Sequence, residues 1–343
     1  MDLIQTYAEE LKLIRKTGTK AWVGAALAAV ALLPFYAPEH IVYTATLAAI
    51  FCIGIMGQNL LIGYTGQISF GQNGFYCLGA FTFGHLAQMG VPWPLGLAGA
   101  GLVAGVFGVL VGLPSLRLKG PYLAIATMGF GLAVYQIFVN SELLSGGRMG
   151  LTVAKVSPEW FLALLGKAGL QWERLDAFLT EVNYRFYFNL LVGSVFTLLT
   201  YNIVSSYMGR AFIAIRDNDI AAEVLGVNLT RYKLLSFAVS SFYVGVQGGL
   251  FALFIGYLEP NMFSFMETIN FLVAVIVGGL GSVEGAIMGA VFVVFIPHLF
   301  NEYKELVPII FGAAIMVVLI FEPLGLSGRL MKTRLYLRNW PFR

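Results

Sequence analysis

Two segments of the chain combine glycines with uncharged polar side chains inside otherwise apolar sequence. The first is GYTGQISFGQNG, from Gly63 to Gly74, and the second is GGLGSVEG, from Gly278 to Gly285. Glycine weakens a helix, and amide and hydroxyl side chains can hydrogen-bond a small polar solute. These residue types therefore suit the binding and passage of a solute. We assign no catalytic residue and no metal ligand to the chain.

The same two segments predict a solute pathway if they lie within a membrane. Unwound backbone persists at membrane depth only where it is buried in protein or faces a water-filled cavity, and broken helices line the substrate sites of many transporters. Tight helix packing through small residues is the alternative interpretation. The residues that we expect to line the pathway are Asn59, Gly66, Gln67, Ser69, Gly71, Gln72, Asn73, Gly278, Gly279, Gly281 and Ser282.

The composition places these segments in a membrane protein. Of the 343 residues, 58% are hydrophobic and only 11% are charged, and the mean hydropathy is +0.80. No Asp, Glu, Lys or Arg occurs between Ile41 and Leu116, which is room for three or more spans of about 20 residues. A net charge of +3 gives no support for a nucleic-acid partner. Cys52 and Cys77 lie in apolar sequence and are expected to be free, buried thiols.

The apolar runs predict an all-α polytopic membrane protein with eight to ten transmembrane helices. Because one glycine-broken span is early and the other late in the chain, an internal repeat is possible. The candidate spans lie near 21–37, 41–62, 66–90, 94–113, 121–140, 187–206, 234–258, 266–281, 285–300 and 306–321.

Basic residues predict the orientation of these spans. Lys and Arg cluster before the first span, after the last, and in two short loops, so ten spans with both termini cytoplasmic satisfy the positive-inside rule. An amphipathic helix over 1–20 should lie on the cytoplasmic face, the permease domain should cover 21–325, and 326–343 should form a basic tail. An external segment, 141–185, is either a cap on the bundle or a docking surface for a soluble partner.

The spans carry too few ionisable residues for a proton-coupled carrier. Glu267 and Glu284 are the only acidic residues near a span interior, and both fall at expected span ends. His85 is explained as a packed or hydrogen-bonded residue. Uphill transport would therefore take its energy from another subunit.

Residues 207–233 lie between two spans, and their sequence predicts a short helix that could bind in a groove of a partner protein. Asn218 or Asp219 can cap it, Ala221 to Leu225 favour helix, and Gly226 suits its end. A connecting loop with one helical turn is the simpler alternative.

Several ordered motifs make the chain similar to a known family. It resembles the permeases of ABC importers, in the branched-chain amino-acid (LivM-type) subfamily, over some 260 residues. Gln72 stands where the family often has His, and Ser145 stands where it often has Thr. Glu284 stands where an uncharged residue is expected. The resemblance therefore does not identify the solute. The motifs are Gly63–Gly71 with Gly79 and Ala80, Ser145–Thr152, Gly209–Gly226 with Lys233–Phe237, Gly278–Ser282 and Glu322–Leu326.

This resemblance implies a transport subunit of the bacterial inner membrane that is not itself an enzyme and binds no cofactor. ATP would be used by two ATP-binding subunits, since the chain has no GxxxxGK[ST] loop. A second homologous permease and an external solute-binding protein would be the other partners. A permease for urea or short-chain amides and a stand-alone channel for a small polar solute are the alternatives. The residues expected to couple to the ATPase are Gly209, Arg210, Arg216, Asp217, Asn218, Ala221, Ala222, Glu223 and Gly226.

Overall fold

The computed structural model describes residues 30–118, 120–153, 181–322 and 325–329. Nearly all of its regular structure is helical. The main helices are α1 (Glu39–Asn59, continued by a π-helical turn at Leu60–Tyr64), α2 (Gln72–Gln88), α3 (Trp93–Ser115), α4 (Pro121–Asn140), α5 (Glu181–Ser205), α6 (Tyr207–Asp217), α7 (Asp219–Val224), α8 (Leu229–Ile255), α9 (Phe265–Gly278), α10 (Val283–Leu299) and α11 (Val307–Phe321).

Short elements complete the described part of the chain. Strands β1 (Leu151–Thr152) and β2 (Tyr257–Leu258) pair antiparallel, with Leu151 opposite Leu258. The other short elements are helical turns at Leu33–Tyr36 and Glu142–Ser145 and 3₁₀ turns at Gly147–Met149, Pro260–Phe263 and Asn301–Leu306.

Six of the described helices are long and apolar enough to cross a membrane, which confirms an all-α polytopic membrane protein. These six candidate spans correspond to α1, α3, α4, α5, α8 and α11. The apolar helices α9 and α10 are shorter because the chain is not helical between Gly278 and Val283. The count of ten spans and the internal repeat remain predictions.

The bundle is centred on α1 and α8, which are the most buried of the long helices. Helix α8 packs against α1, α2 and α3. Glycines allow this close approach, because a Cβ atom on Gly79 of α2 would collide with the backbone of Gly245 in α8. A Cβ on Gly248 would in turn lie 2.5 Å from the Tyr76 carbonyl oxygen.

The bundle has two ends, which we name by the elements found there. The α6 end holds α6, α7 and the two chain breaks at 65–71 and 279–282. The β end holds β1 and β2, and there His85 Nε2 lies 2.7 Å from the Leu144 carbonyl oxygen. The start of α1 is also at the β end, since the Tyr43 ring lies 4.8 Å from that of Phe254, near β2.

Some predicted segments differ in extent from the structure or fall outside it. Of the external segment 141–185, residues 154–180 are outside the described residues, and α5 already begins at Glu181, earlier than the expected 187. The amphipathic helix over 1–20 and all of the basic tail beyond 329 also lie outside the described ranges.

Candidate functional site

The first chain break separates α1 from α2 by a stretch without helical structure. Gly66 has a φ of +73°, a left-handed conformation that L residues with side chains rarely adopt. The chain then runs without regular structure to Gly71, and α2 begins at Gln72 rather than at the expected 66. The unwound segment that the sequence predicted is therefore present.

The polar side chains at the first break are buried, and the break is hydrogen-bonded to α1 and α8. Gln72 Nε2 donates to Gln58 Oε1, and Gln58 Nε2 donates to the Ser69 carbonyl oxygen at 3.2 Å. Gln67 Nε2 donates to Ser236 Oγ at 2.6 Å. These contacts fasten the break to α1 and α8 inside the bundle.

Asn73, at the start of α2, joins three other parts of the bundle. Its Nδ2 lies 3.3 Å from the Gly131 carbonyl oxygen of α4 and 3.4 Å from that of Phe263. Its Oδ1 accepts from Thr268 Oγ1 of α9 at 3.0 Å. This side chain is thus a buried junction between helices.

The second break separates α9 from α10 and touches the first. Gly279 and Gly281 have φ values of 127° and 73°, and Ser282 caps α10 by accepting from the Gly285 N–H at 2.8 Å. Asn59 Nδ2 donates to the Ser282 carbonyl oxygen at 2.7 Å, and Asn59 Oδ1 accepts from the Gly281 N–H at 2.9 Å. One side chain at the end of α1, the helix that leads into the first break, therefore holds the second break against that helix.

Arg216, in the last turn of α6, contacts both breaks. Its Nη1 donates to the Gly63 carbonyl oxygen at 2.7 Å. A Cβ on Gly281 would lie 3.0 Å from the same nitrogen, and one on Gly66 would lie 3.0 Å from Arg216 Cγ. The structure thus joins residues from the predicted pathway set and the predicted coupling set.

A cavity of about 430 Å³ opens where the first break meets α6 and α7. It carries charges of both signs, and Lys233 Nζ lies 3.6 Å from Asp219 Oδ2. Among the expected pathway residues, only Gly66 and Gln67 line it. Its lining residues are Thr65, Gly66, Gln67, Ile68, Leu118, Gly120, Leu123, Ile215, Arg216, Asp217, Asn218, Asp219, Ile220 and Lys233.

The local structure of the 207–233 segment agrees with the sequence. Ser206 caps α6, and Asn218 caps α7 by accepting from the Ala221 N–H at 3.0 Å. The chain leaves α7 through Gly226, whose φ is +88°. The short helix is α7, Asp219–Val224, within the expected 217–226.

The residues of α7 are divided between the bundle and the solvent. Ala222, one of the expected coupling residues, is only 1% exposed and packs inward. Ile220, Val224 and Leu225 are instead exposed by 69%, 82% and 82%, and we call these three the α7 patch. The i, i+4 spacing of Ile220 and Val224 was the available sequence signal.

The other expected coupling residues are distributed between core and surface. Gly209 is buried, and a Cβ there would collide with the Val204 carbonyl at the end of α5. Arg210 is exposed, with Nη1 3.4 Å from the Ser205 carbonyl oxygen, and Glu223 is exposed on α7. Among the described residues, no group of three His, Cys, Asp or Glu side chains could hold a metal ion.

Comparison with known proteins agrees with these features. The profile of a family described as the permease component of the branched-chain amino acid transport system matches residues 40–321. The chain is 33% identical over 304 residues to the high-affinity branched-chain amino acid transport system permease protein LivM of Salmonella typhimurium, covering 85% of this chain and 71% of that protein.

Two further relatives extend the comparison. The LivM protein of Escherichia coli K12 is 32% identical over 316 residues, covering 89% of this chain and 74% of that protein. The LivH permease of Salmonella typhi is 26% identical over 301 residues, covering 83% of this chain and 93% of that protein. No solved structure matches the chain. The chain belongs to the family of branched-chain amino acid transport permeases, within its LivM group.

Proposed function

We propose that this chain is the permease subunit of an ATP-driven importer for branched-chain or closely related amino acids. The names of the LivM and LivH relatives support the substrate class. In this proposal a second homologous permease completes the membrane path, two ATP-binding subunits supply the energy, and an external solute-binding protein delivers the amino acid. The α6 end faces the cytoplasm, ten spans cross the membrane, and both termini are cytoplasmic.

The observation that carries the proposal is the α7 patch. Two large apolar side chains stand exposed on the six-residue helix and a third on the residue that follows it, between the Asn218 cap and Gly226. Apolar side chains clustered in this way on a non-membrane segment mark a protein contact. An ATP-binding subunit with an apolar groove is the partner that this patch fits.

The contacts of Arg216 supply a route from α7 to the chain breaks. Asn218 caps α7 directly after the end of α6, so a push on α7 moves the last turn of α6. Arg216 in that turn is bonded to the Gly63 carbonyl oxygen, just before the first break, and Asn59 links the end of α1 to the second break. ATP-driven movement of α7 would thus shift both breaks together.

The cavity at the α6 end is the inner mouth of the path in this proposal. Gly66 and Gln67 line it beside Arg216 and Lys233, and the remaining expected pathway residues fasten the breaks from within the bundle. Binding there should be weak, because Arg216 is partly exposed to water and Lys233 is already paired with Asp219. Selectivity would then lie mainly in the external binding protein.

Replacing Val224 of the α7 patch with Arg tests this proposal. Val224→Arg should insert normally and lose both ATP-driven leucine uptake and co-purification of the ATP-binding subunits. Leu143→Arg is the matched control, because Leu143 is 87% exposed at the β end and should keep those subunits bound. If Val224→Arg retained the ATP-binding subunits and normal uptake, α7 would not be the docking element.

A further inference from the structure

A second, larger cavity lies at the β end, and we call it the β-end cavity. It measures about 960 Å³ and lies between the first half of α1, α9, the second half of α10 and the first half of α11. This volume falls within the range of small-molecule sites, about 300–1,000 Å³. Its walls are largely apolar, formed by residues that include Leu47, Ile269, Val294, Phe311 and Ile315.

One part of the β-end cavity is polar. Two of the three histidines of the chain meet there, with the rings of His40 and His298 stacked 5.5 Å apart. Thr44 Oγ1 lies 3.4 Å from His298 Nδ1, and Glu39 also lines the cavity. Imidazole N–H groups can donate to a carboxylate, and a carboxylate side chain can accept from an ammonium group.

A further acidic side chain stands behind the cavity wall. Asn270 lines the cavity, and its side chain is hydrogen-bonded to Glu267. Glu267 Oε2 is buried and has no hydrogen-bond partner among the described residues. A buried polar atom without a partner in the protein indicates a place for water or a ligand.

We infer that the β-end cavity binds the transported α-amino acid. The apolar side chain of the amino acid would lie against Ile269 and Phe311. The carboxylate of the ligand would lie beside His40 and His298, and its ammonium group beside Glu39 and Asn270. This inference rests on the proposed function, and it adds a site to that function. A phospholipid acyl chain could also occupy an apolar groove, but acidic and imidazole groups together favour a ligand with both charges.

Gly312 offers a probe of this site. It lines the cavity, and no atom lies within 4 Å of the position that a Cβ on it would take. Gly312→Cys therefore places a thiol without a clash, and the native thiols of Cys52 and Cys77 are buried. Leu143→Cys is the control, because Leu143 is 87% exposed at the same end of the bundle and does not line the cavity.

The experiment measures the rate of labelling by N-ethylmaleimide in the complete transporter in lipid nanodiscs, with L-leucine as the added ligand. Leucine should slow labelling of Gly312→Cys saturably, about tenfold at ten times its dissociation constant, and leave labelling of Leu143→Cys unchanged. Isoamylamine and 4-methylpentanoate, which each lack one charged group of leucine, should protect less. Ile315→Cys on the same wall provides a second probe if Gly312→Cys fails to insert.

Two outcomes would overturn the inference. The first is labelling that leucine does not slow up to its solubility limit. The second is labelling slowed by added phospholipid and not by leucine, which would identify a lipid groove. Leucine uptake by the unsubstituted transporter tests the proposed function separately, so failure of the site leaves that result intact.

Discussion

Asn59 should hold the second chain break against the end of α1, and its truncation should be unusually costly for one small side chain. It is 1% exposed and makes two hydrogen bonds to the second break, to the Ser282 carbonyl oxygen and from the Gly281 N–H. Asn59→Ala removes the side-chain amide and so leaves the Gly281 N–H and the Ser282 carbonyl oxygen without their hydrogen-bond partner. Neither backbone group can find a new partner within its own helix, because both lie in the non-helical stretch between α9 and α10.

The magnitude follows from those two groups. A buried polar group left without a partner costs about 1–3 kcal/mol. Gly281 and Ser282 are only partly buried, so water can reach them and the lower limit applies to each. We therefore expect Asn59→Ala to lower the free energy of unfolding by about 2 kcal/mol.

The assay is SDS-induced unfolding in mixed micelles, with Thr46→Ala as the control. Thr46 is a fully buried polar residue of the same helix, and its hydroxyl donates only to the local Val42 carbonyl oxygen. Its truncation leaves no backbone group without a hydrogen-bond partner and should lower the free energy of unfolding by less than about 1 kcal/mol. If Asn59→Ala cost no more than Thr46→Ala, this side chain would not anchor the second break to α1.

Three other substitutions test separate parts of the structure. Arg216→Gln should reduce leucine uptake several-fold while ATP hydrolysis by the complex continues, and equal losses of both would contradict its role in transmission. Gly79→Val should prevent folding, since its side chain would meet the Gly245 backbone, whereas Gly129→Val should be tolerated in the same expression and insertion assay. Ser145→Ala should lower the free energy of SDS-induced unfolding by about 1–3 kcal/mol, because it leaves the Gly147 N–H without a hydrogen-bond acceptor. An unchanged unfolding midpoint would refute this.

The features that depend on local chemistry could be predicted from the sequence. Asn218 and Gly226 bound α7 because an Asx side chain caps a helix and glycine accepts a positive φ. The two breaks fall where glycines cluster, and Glu267 and Glu284 lie in the first turns of α9 and α10.

The contacts that join these features could not be predicted. Asn59 and Ser282 are 223 residues apart, and Arg216 and Gly63 are 153 apart, so no local pattern brings them together. The buried side of α7 was only partly indicated by the sequence. The i, i+4 spacing of Ile220 and Val224 puts these two residues on one face, but a six-residue helix is too short for that pattern to show that Ala222 packs inward.

The most direct test of the account is the identity of the proteins that accompany this chain in its native membrane. Gentle purification of the tagged chain should recover a second permease and two ATP-binding subunits in stoichiometric amounts. Recovery of the chain alone, or only with copies of itself, would contradict an ATP-driven importer and favour a stand-alone channel.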